Sequence, residues 1–194
     1  PEAQLLIGGL CGARVVRTKH LVADGDDSLA LIVNRSGVLG ISERGHDLRL
    51  RAGEAVLTSA EDVTIFERLS LGSGFSLRVP RRVLAPMIVD VDDAVMRVIP
   101  ESTTGLRLLV DYAIALVHEK VLAVPAMRQL GVAHLHDLLA LVLGATDHAR
   151  ESTGRRGIKA ARLQKAKFLI VNNCWQQDIS VADVAQELGV TPRY

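Results

Sequence analysis

The sequence contains histidine and carboxylate side chains close together in two places, and together such side chains are common ligands of catalytic metal ions. His46 and Asp47 lie in a predicted turn, Glu54 follows, and the neighbouring predicted strands contain no second histidine. A site with a single histidine binds a metal poorly. His134 and His136 lie on a predicted helix, where side chains two residues apart point about 200° away from each other and cannot chelate one ion. We therefore expect no metal and no other cofactor.

The short motifs of common catalytic and nucleotide-binding sites are absent from the sequence: it has no G-x-S-x-G, no P-loop and no dinucleotide fingerprint. Its two cysteines, Cys11 and Cys174, are far apart, which indicates a reducing cytoplasm rather than a disulfide framework. Asp90, Asp92 and Asp93 cluster in a predicted connector, where adjacent carboxylates usually stay solvated. No apolar run reaches the roughly 18–20 residues of a membrane span. We expect a cytoplasmic protein that is not an enzyme.

Charge is distributed unevenly along the 194 residues. The formal charge is +1, but residues 1–149 carry −3 and residues 150–194 carry +4. The basic side chains concentrate in one short stretch, namely Arg150, Arg155, Arg156, Lys159, Arg162, Lys165 and Lys167. Such a cluster just ahead of a nucleic-acid-binding motif is typical of contacts with phosphates.

The residues after this basic stretch have the pattern of two short helices joined by a tight turn. Ser180 and Asp183 have the spacing of a capping box, with Asp in place of the usual Glu or Gln. Gly189 stands where the first helix must stop in a left-handed conformation. Thr191 can cap a second helix that begins at Pro192. The pattern predicts a helix-turn-helix, the alternative being an ordinary helical corner.

Two other kinds of pattern precede this region. From Leu5 to Val79, short apolar segments alternate with turn residues at spacings of roughly 8–12 residues, which predicts a β-sandwich or barrel. Beyond Pro80, helical repeats cover about residues 104–122 and 127–148. We expect an α+β fold: a domain of residues 1–150, with the barrel over about 1–80 and the helices over about 104–148, then a polar linker at 151–157 and a helical domain at 158–194.

The two long predicted helices are apolar on more than one side, so a sheet can cover only part of their surface. A second copy of the protein is the natural source of the remaining cover. We expect a homodimer that buries well over about 1,000 Å². The predicted interface residues are Leu109, Leu116, Leu135 and Leu139.

Residues 158–194 resemble the start of the DNA-binding domain of AraC-type transcriptional regulators. The resemblance rests on the helix from Arg162 to Ile170, on Asp178–Val181, and on the turn from Ala185 to Tyr194. Residues 44–57 and 75–81 are similar to the cupin-type sensory domain of many members. The resemblance implies a jelly-roll barrel, in some members with a small-molecule effector inside, and helices that dimerise. It also implies two helix-turn-helix units, of which this chain contains the beginning of the first.

The same resemblance implies roles for individual residues. Arg193 would face DNA bases, Thr191 would lie near the phosphates, and the cations that neutralise phosphates would include Arg155, Arg156, Lys159 and Arg162. An effector would occupy the barrel interior, with candidate contacts at Arg44, His46, Leu48, Phe66 and Phe75. The partners implied are therefore DNA, a small molecule and a second copy of the chain, with no membrane.

Two alternatives stay open. One is a small cupin-fold enzyme with a helical appendage, which would hold a metal ion. The other is a ligand-free dimerisation module whose barrel is packed solid. We also expect the 194-residue chain to be an internal fragment that binds DNA weakly and without sequence preference, because only Pro192, Arg193 and Tyr194 of the reading helix are present.

Overall fold

The computed structural model describes residues 3–103, 105–118, 123–144, 161–167, 169–170, 180–188 and 190–191. Its strands are β1 (Gln4–Leu10), β2 (Ala13–Arg17), β3 (Leu29–Asn34), β4 (Leu39–Glu43), β5 (His46–Leu50), β6 (Ala55–Ser59), β7 (Thr64–Arg68), β8 (Gly72–Val79) and β9 (Val98–Ile99). Its helices are α1 (Lys19–Val22), α2 (Arg81–Leu84), α3 (Val91–Ala94), α4 (Leu106–His118), α5 (Pro125–Leu143) and α6 (Val181–Glu187), with a 3-10 turn at Ala85–Met87. Residues 161–167 are also helical. None of the described helices is long and apolar enough to cross a membrane.

The strands form two antiparallel sheets, one in the order β1-β8-β3-β6-β9 and one in the order β2-β7-β4-β5. In the first sheet, Leu31 lies directly opposite Leu57 and Leu77, so the three side chains share one face. In the second sheet, Ile41 lies opposite Phe66. These residues belong to or pack against one continuous hydrophobic core. The predicted run of short strands is confirmed, and the two sheets pack as a sandwich.

A two-residue hairpin loop joins β4 to β5. Arg44 and Gly45 both have positive φ, +51° and +76°, which is the conformation of a type I′ turn. Glycine adopts it freely, whereas arginine rarely does, so the loop holds Arg44 in an uncommon conformation. The loop places Arg44 at one end of the sandwich, beside Asp62.

Helix α5 begins and ends earlier than the sequence pattern predicts. Pro125 occupies its first position, where the missing N–H costs nothing because the first turn has no acceptor for it. At the other end, Gly144 adopts φ +91° and stops the helix after Leu143, whereas the repeat predicts helix to His148. The connector before α4 is also more regular than predicted, because it contains α3 and β9.

The four leucines predicted at a dimer interface lie inside one protomer. Each is at most 2% exposed, and all belong to the core that α4 and α5 share with the sandwich: Leu109, Leu116, Leu135 and Leu139. A partner cannot reach these side chains while the protomer stays folded. The exposed apolar residues of the hairpin formed by α4 and α5 lie at its tip, where Val117, Met127 and Leu130 are 44–53% exposed.

Candidate effector and DNA-contact sites

Three of the predicted effector residues lie on the inner faces of the sandwich. Leu48 and Phe66 both lie opposite Ile41 in the second sheet, so all three point to the same side. Phe75 belongs to the first sheet and is 1% exposed. Side chains of the two sheets therefore meet in the interior, where the sequence resemblance predicts an effector.

The space between the sheets is filled by these side chains themselves. The inner residues are almost fully buried, including Leu29, Leu31, Val33, Ile41, Leu50, Leu57, Phe75 and Leu77. One cavity that the described residues form lies beside the end of α5, and none of its lining residues comes from this interior. The packing favours a solid sandwich over an effector site between the sheets.

Glu43 closes one end of the interior. Its carboxylate accepts a hydrogen bond from the Ser59 backbone N–H at 3.0 Å and another from the Thr64 hydroxyl at 2.7 Å. Because Ser59 belongs to the first sheet and Thr64 to the second, one side chain joins both. Burial raises the pKa of Glu43 above its ordinary value of 4.5, and the two hydrogen bonds lower it only in part.

Burial of Glu43 predicts a pH-dependent stability. Because the folded-state pKa is raised, the native protein binds a proton more tightly than the unfolded chain, so the free energy of unfolding falls as the pH rises from 4.5 through the folded pKa. Glu43→Gln removes this loss, whereas the same change at exposed Glu101 leaves it in place. Urea denaturation between about pH 4 and 7 measures the slope. Identical slopes for wild type and Glu43→Gln would contradict the assignment.

Arg68 closes the opposite end of the interior. It is 5% exposed, and its guanidinium donates to the Asn34 side-chain oxygen and the Ser36 carbonyl at 2.8 Å, and to the Ser73 carbonyl at 3.5 Å. Gly72 packs so closely on it that an added Cβ would lie 2.0 Å from a guanidinium nitrogen. No carboxylate of the described residues pairs with Arg68, so uncharged oxygens alone compensate this buried cation. It joins β7 to the ends of β3 and β8.

Arg44 is engaged in a charged network at the rim of the sandwich. It bonds Asp62 at 2.6 Å and Asp92 at 3.4 Å. Arg81 bonds the same Asp92 at 3.4 Å and Glu61 at 2.8 Å. Hydrogen bonds from Arg81, and then from Arg44, hold the pKa of Asp92 below its ordinary value. The network ties α3 to the β4–β5 hairpin, which gives Arg44 a structural role.

The histidines take different positions. His46 is exposed in β5, opposite Glu43. A hydrogen bond of 2.8 Å between His134 and the Tyr112 hydroxyl joins α5 to α4. Burial raises the pKa of Tyr112 to about 12. His136 is buried. Within the described ranges, no group of three or more His, Cys, Asp or Glu side chains could hold a metal ion.

Two of the six predicted DNA-contact residues fall in the described part of the chain. Arg162 is half-buried in the helical segment 161–167, and Thr191 is exposed. The other four lie outside the described residues: Arg155, Arg156, Lys159 and Arg193. Their roles stay predictions.

Helix α6 begins as the sequence pattern predicts. The Ser180 hydroxyl accepts from the Asp183 backbone N–H at 3.2 Å, and the Asp183 carboxylate accepts from the Ser180 backbone N–H at 2.9 Å. This reciprocal pair is the predicted capping box, which is confirmed. Ala185 is buried, as its small size allows where helices cross closely.

Lys165 connects the helical segment 161–167 to the elements on either side of it. Its ammonium lies 3.9 Å from the Asp111 carboxylate on α4 and 3.9 Å from the Glu187 carboxylate at the end of α6. The side chain is only 13% exposed, and Ala161, one turn earlier, belongs to the core. Burial raises the pKa of Asp111, while Lys165 and Arg107 act against that rise. This part of the basic stretch is paired with acidic side chains.

Sequence reasoning missed Glu43, Arg68 and Lys165 as structural side chains. For the first two a signal exists in the alternation of their strands: Glu43 follows the apolar residues Leu39 and Ile41 at alternate positions, and Arg68 follows Phe66 two positions earlier. A charged residue in an inward position predicts a buried, hydrogen-bonded charge. Lys165 has no such signal, because its partners lie far away in the chain.

No family model and no curated protein matches the sequence. Among solved structures, the chain is similar to the AraC-like transcriptional activator CuxR, with 16% identity and a TM-score of 0.59 over 98% of this chain and 67% of that one. It is also similar to the cupin domain of an XRE family transcriptional regulator from Enterobacter cloacae, with 17% identity and a TM-score of 0.35 over 40% of this chain and 81% of that one. A cupin protein from Bacteroides fragilis shows 19% identity and a TM-score of 0.35 over 41% and 67%. The first likeness shows a shared fold, as the sequence resemblance predicts.

Proposed function

Starting from that shared fold, we propose that the chain is the sensory and dimerisation part, with the beginning of the DNA-binding part, of a sequence-specific transcriptional regulator. The observation that carries the proposal is that one fold match extends over 98% of the chain, across both the sandwich and the helices that follow it. In this proposal, Arg193 reads bases in the major groove and Thr191 lies near the phosphates. The cations that neutralise phosphates are Arg155, Arg156, Lys159 and Arg162.

The contact at Lys165 supports a route from the sensory part to the DNA-binding part. Asp111 belongs to α4, which contributes side chains to the same hydrophobic core as the sandwich. Glu187 is the last residue of α6. A ligand that shifts α4 or α5 changes the position of Asp111, and with it the position in which Lys165 is held. The regulator would respond by repositioning, since a ligand acts through its unequal affinity for two arrangements.

The tip of the helical hairpin supports dimerisation. Val117 near the end of α4, and Met127 and Leu130 in the first two turns of α5, are exposed apolar residues. In a dimer with two-fold symmetry, this surface of one protomer would pack against the same surface of its partner, so the exposed apolar side chains of both protomers would be covered. In this proposal the dimer interface consists of these exposed side chains. The buried leucines of α4 and α5 instead pack the two helices against the rest of the same protomer.

The alternatives from the sequence differ in what they bind. A cupin-fold enzyme would carry a metal ion, whereas a ligand-free module would bind neither metal nor small molecule. The filled interior favours the module as a description of the sandwich itself. The DNA-binding proposal concerns the helices beyond it and is tested separately.

Selection of DNA fragments by the native full-length protein tests the proposal that it binds DNA sequence-specifically. The protein is mixed with sheared chromosomal DNA of its own organism at physiological salt, and the bound fragments are sequenced. We expect strong enrichment of a few sites that share a motif, since specific binding is typically about 10³-fold or more tighter than non-specific binding. Uniform recovery of the genome, or no recovery, contradicts the proposal. Metal analysis of the same preparation separates the rival: stoichiometric iron, manganese or zinc favours the enzyme.

A further inference from the structure

A cavity of about 540 Å³ lies outside the sandwich, between the α3–β9 connector and the C-terminal end of α5. It is open on one side, and its volume is within the range of small-molecule sites. Its apolar wall includes Val98, Val142 and Leu143, and its polar wall includes Asp90, Asp93 and Arg97. The cavity therefore combines aliphatic surface with charges of both signs.

The charges that line the cavity differ from those a few residues away. Asp92, in the same helix α3, is bonded by both Arg44 and Arg81. In contrast, the side chains of Asp93 and Arg97 have no hydrogen bond or ion pair with any part of the chain that the structure describes. Asp90 uses one carboxylate oxygen to cap α3 through the Asp92 and Asp93 N–H groups. The cavity thus presents two carboxylates and one guanidinium with capacity to bind a ligand.

The backbone holds this wall in place. Met96 has φ +58°, an uncommon conformation for a residue with a side chain, and it is buried. Its N–H donates to the Leu57 carbonyl of β6 at 2.9 Å, and β9 then pairs with the same strand. Arg97 follows directly from this fixed turn. A strained conformation that surrounding contacts hold is common at binding sites, because it positions groups before the ligand arrives.

We propose that this cavity binds an aliphatic amino acid or a similarly built zwitterion. The ligand ammonium lies near Asp90 and Asp93, where the carbonyl end of the 19-residue helix α5 adds further negative potential. The ligand carboxylate pairs with Arg97, because guanidinium matches a carboxylate in charge and geometry. The aliphatic part covers Val98, Val142 and Leu143.

A ligand in this cavity would contact the sandwich and helix α5 at the same time. Val98 belongs to β9 at the edge of the first sheet, while Val142 and Leu143 form the last turn of α5. A ligand that contacts both joins the sandwich to the helix from which the chain leaves toward residues 161–167. This inference rests on the proposed function only for the consequence of binding, because the binding itself requires no DNA.

Calorimetric titration of the native full-length protein tests the site with three probes: L-leucine, isoamylamine, which lacks the carboxylate, and 4-methylpentanoate, which lacks the amine. We expect L-leucine to bind at least about tenfold more tightly than either half-molecule, because each half loses one charge-assisted contact. Asp93→Asn and Arg97→Gln should each weaken L-leucine about tenfold. The matched changes Asp27→Asn and Arg82→Gln, at exposed residues outside the cavity, should leave its affinity unchanged.

Absence of heat with L-leucine up to about 10 mM at two different temperatures overturns the inference, since a binding enthalpy that is zero at one temperature is not zero at the other. Equal affinity for L-leucine and either half-molecule overturns it as well, as does unchanged L-leucine affinity in both cavity variants. Thermal shift confirms that the variants are folded. Binding of L-leucine by a protein that selects no DNA would reject the regulator while leaving this site established.

Discussion

Arg68→Met is expected to lower the free energy of unfolding by about 2–4 kcal/mol, although methionine fills a similar volume. The variant leaves the Asn34 side-chain oxygen and the Ser36 carbonyl without the donor that Arg68 supplies, whereas the Ser73 carbonyl keeps the backbone N–H groups of Arg35 and Ser36. Each buried acceptor that loses its partner costs about 1–3 kcal/mol, and removal of the buried charge offsets part of the sum. Urea denaturation followed by far-ultraviolet circular dichroism measures the loss.

The control for this variant is Arg14→Met on the neighbouring strand β2. Arg14 also bonds a partner at 2.8 Å, Glu67, but both side chains are at least half exposed. An exposed pair contributes about 0–1 kcal/mol, so this variant should remain close to wild type. If Arg68→Met costs no more than Arg14→Met, Arg68 does not hold the sheets together.

Leu139→Glu is expected to prevent folding, whereas Leu130→Glu is expected to prevent only dimerisation, although both variants place a carboxylate on α5. Leu139 is fully buried, so the carboxylate at that position should cost more than about 4 kcal/mol and prevent folding. Leu130 is 53% exposed, so its variant should keep wild-type stability and shift the dimer to monomer. Circular dichroism reports folding, and sedimentation velocity reports the association state.

A control variant shows whether loss of the dimer depends on the position of the new charge or only on adding a charge to an exposed apolar residue. Leu69→Glu introduces the same carboxylate at an 89% exposed residue between β7 and β8, and it should remain a folded dimer. A dimeric Leu130→Glu would place the interface away from the hairpin tip. A well-behaved wild-type monomer would remove dimerisation from the proposal altogether.

Much of the local structure could be predicted because it depends on residues near in sequence. The capping box of α6 requires only Ser180 and Asp183, three positions apart, and it forms as expected. The strands from β3 to β8 follow from alternating apolar residues and turn residues. Short elements were missed, because α3 and β9 contain four and two residues and show no periodicity.

What the sequence could not predict was which face of an apolar helix is buried by its own chain. The repeat that includes Leu109 and Leu116 indicates burial, but it does not distinguish a sheet from a second protomer as the cover. The same limit applies to the filled interior, since side-chain volumes decide it and periodicity does not measure volume. The cavity beside α5 depends on β9 and the turn at Met96, neither of which leaves a pattern in the sequence.

The pairing of Lys165 with Asp111 and Glu187 has a consequence for phosphate binding in the proposed regulator. Each cation that neutralises a DNA phosphate releases a counterion condensed on the DNA, and each release steepens the fall of affinity with salt. Lys165 would also have to leave two carboxylates, so the attraction that it gains from a phosphate is offset by the attraction that it loses. A phosphate that drew Lys165 away would leave Asp111 and Glu187 without the cation between them, and their mutual repulsion would favour a larger separation of α4 and α6.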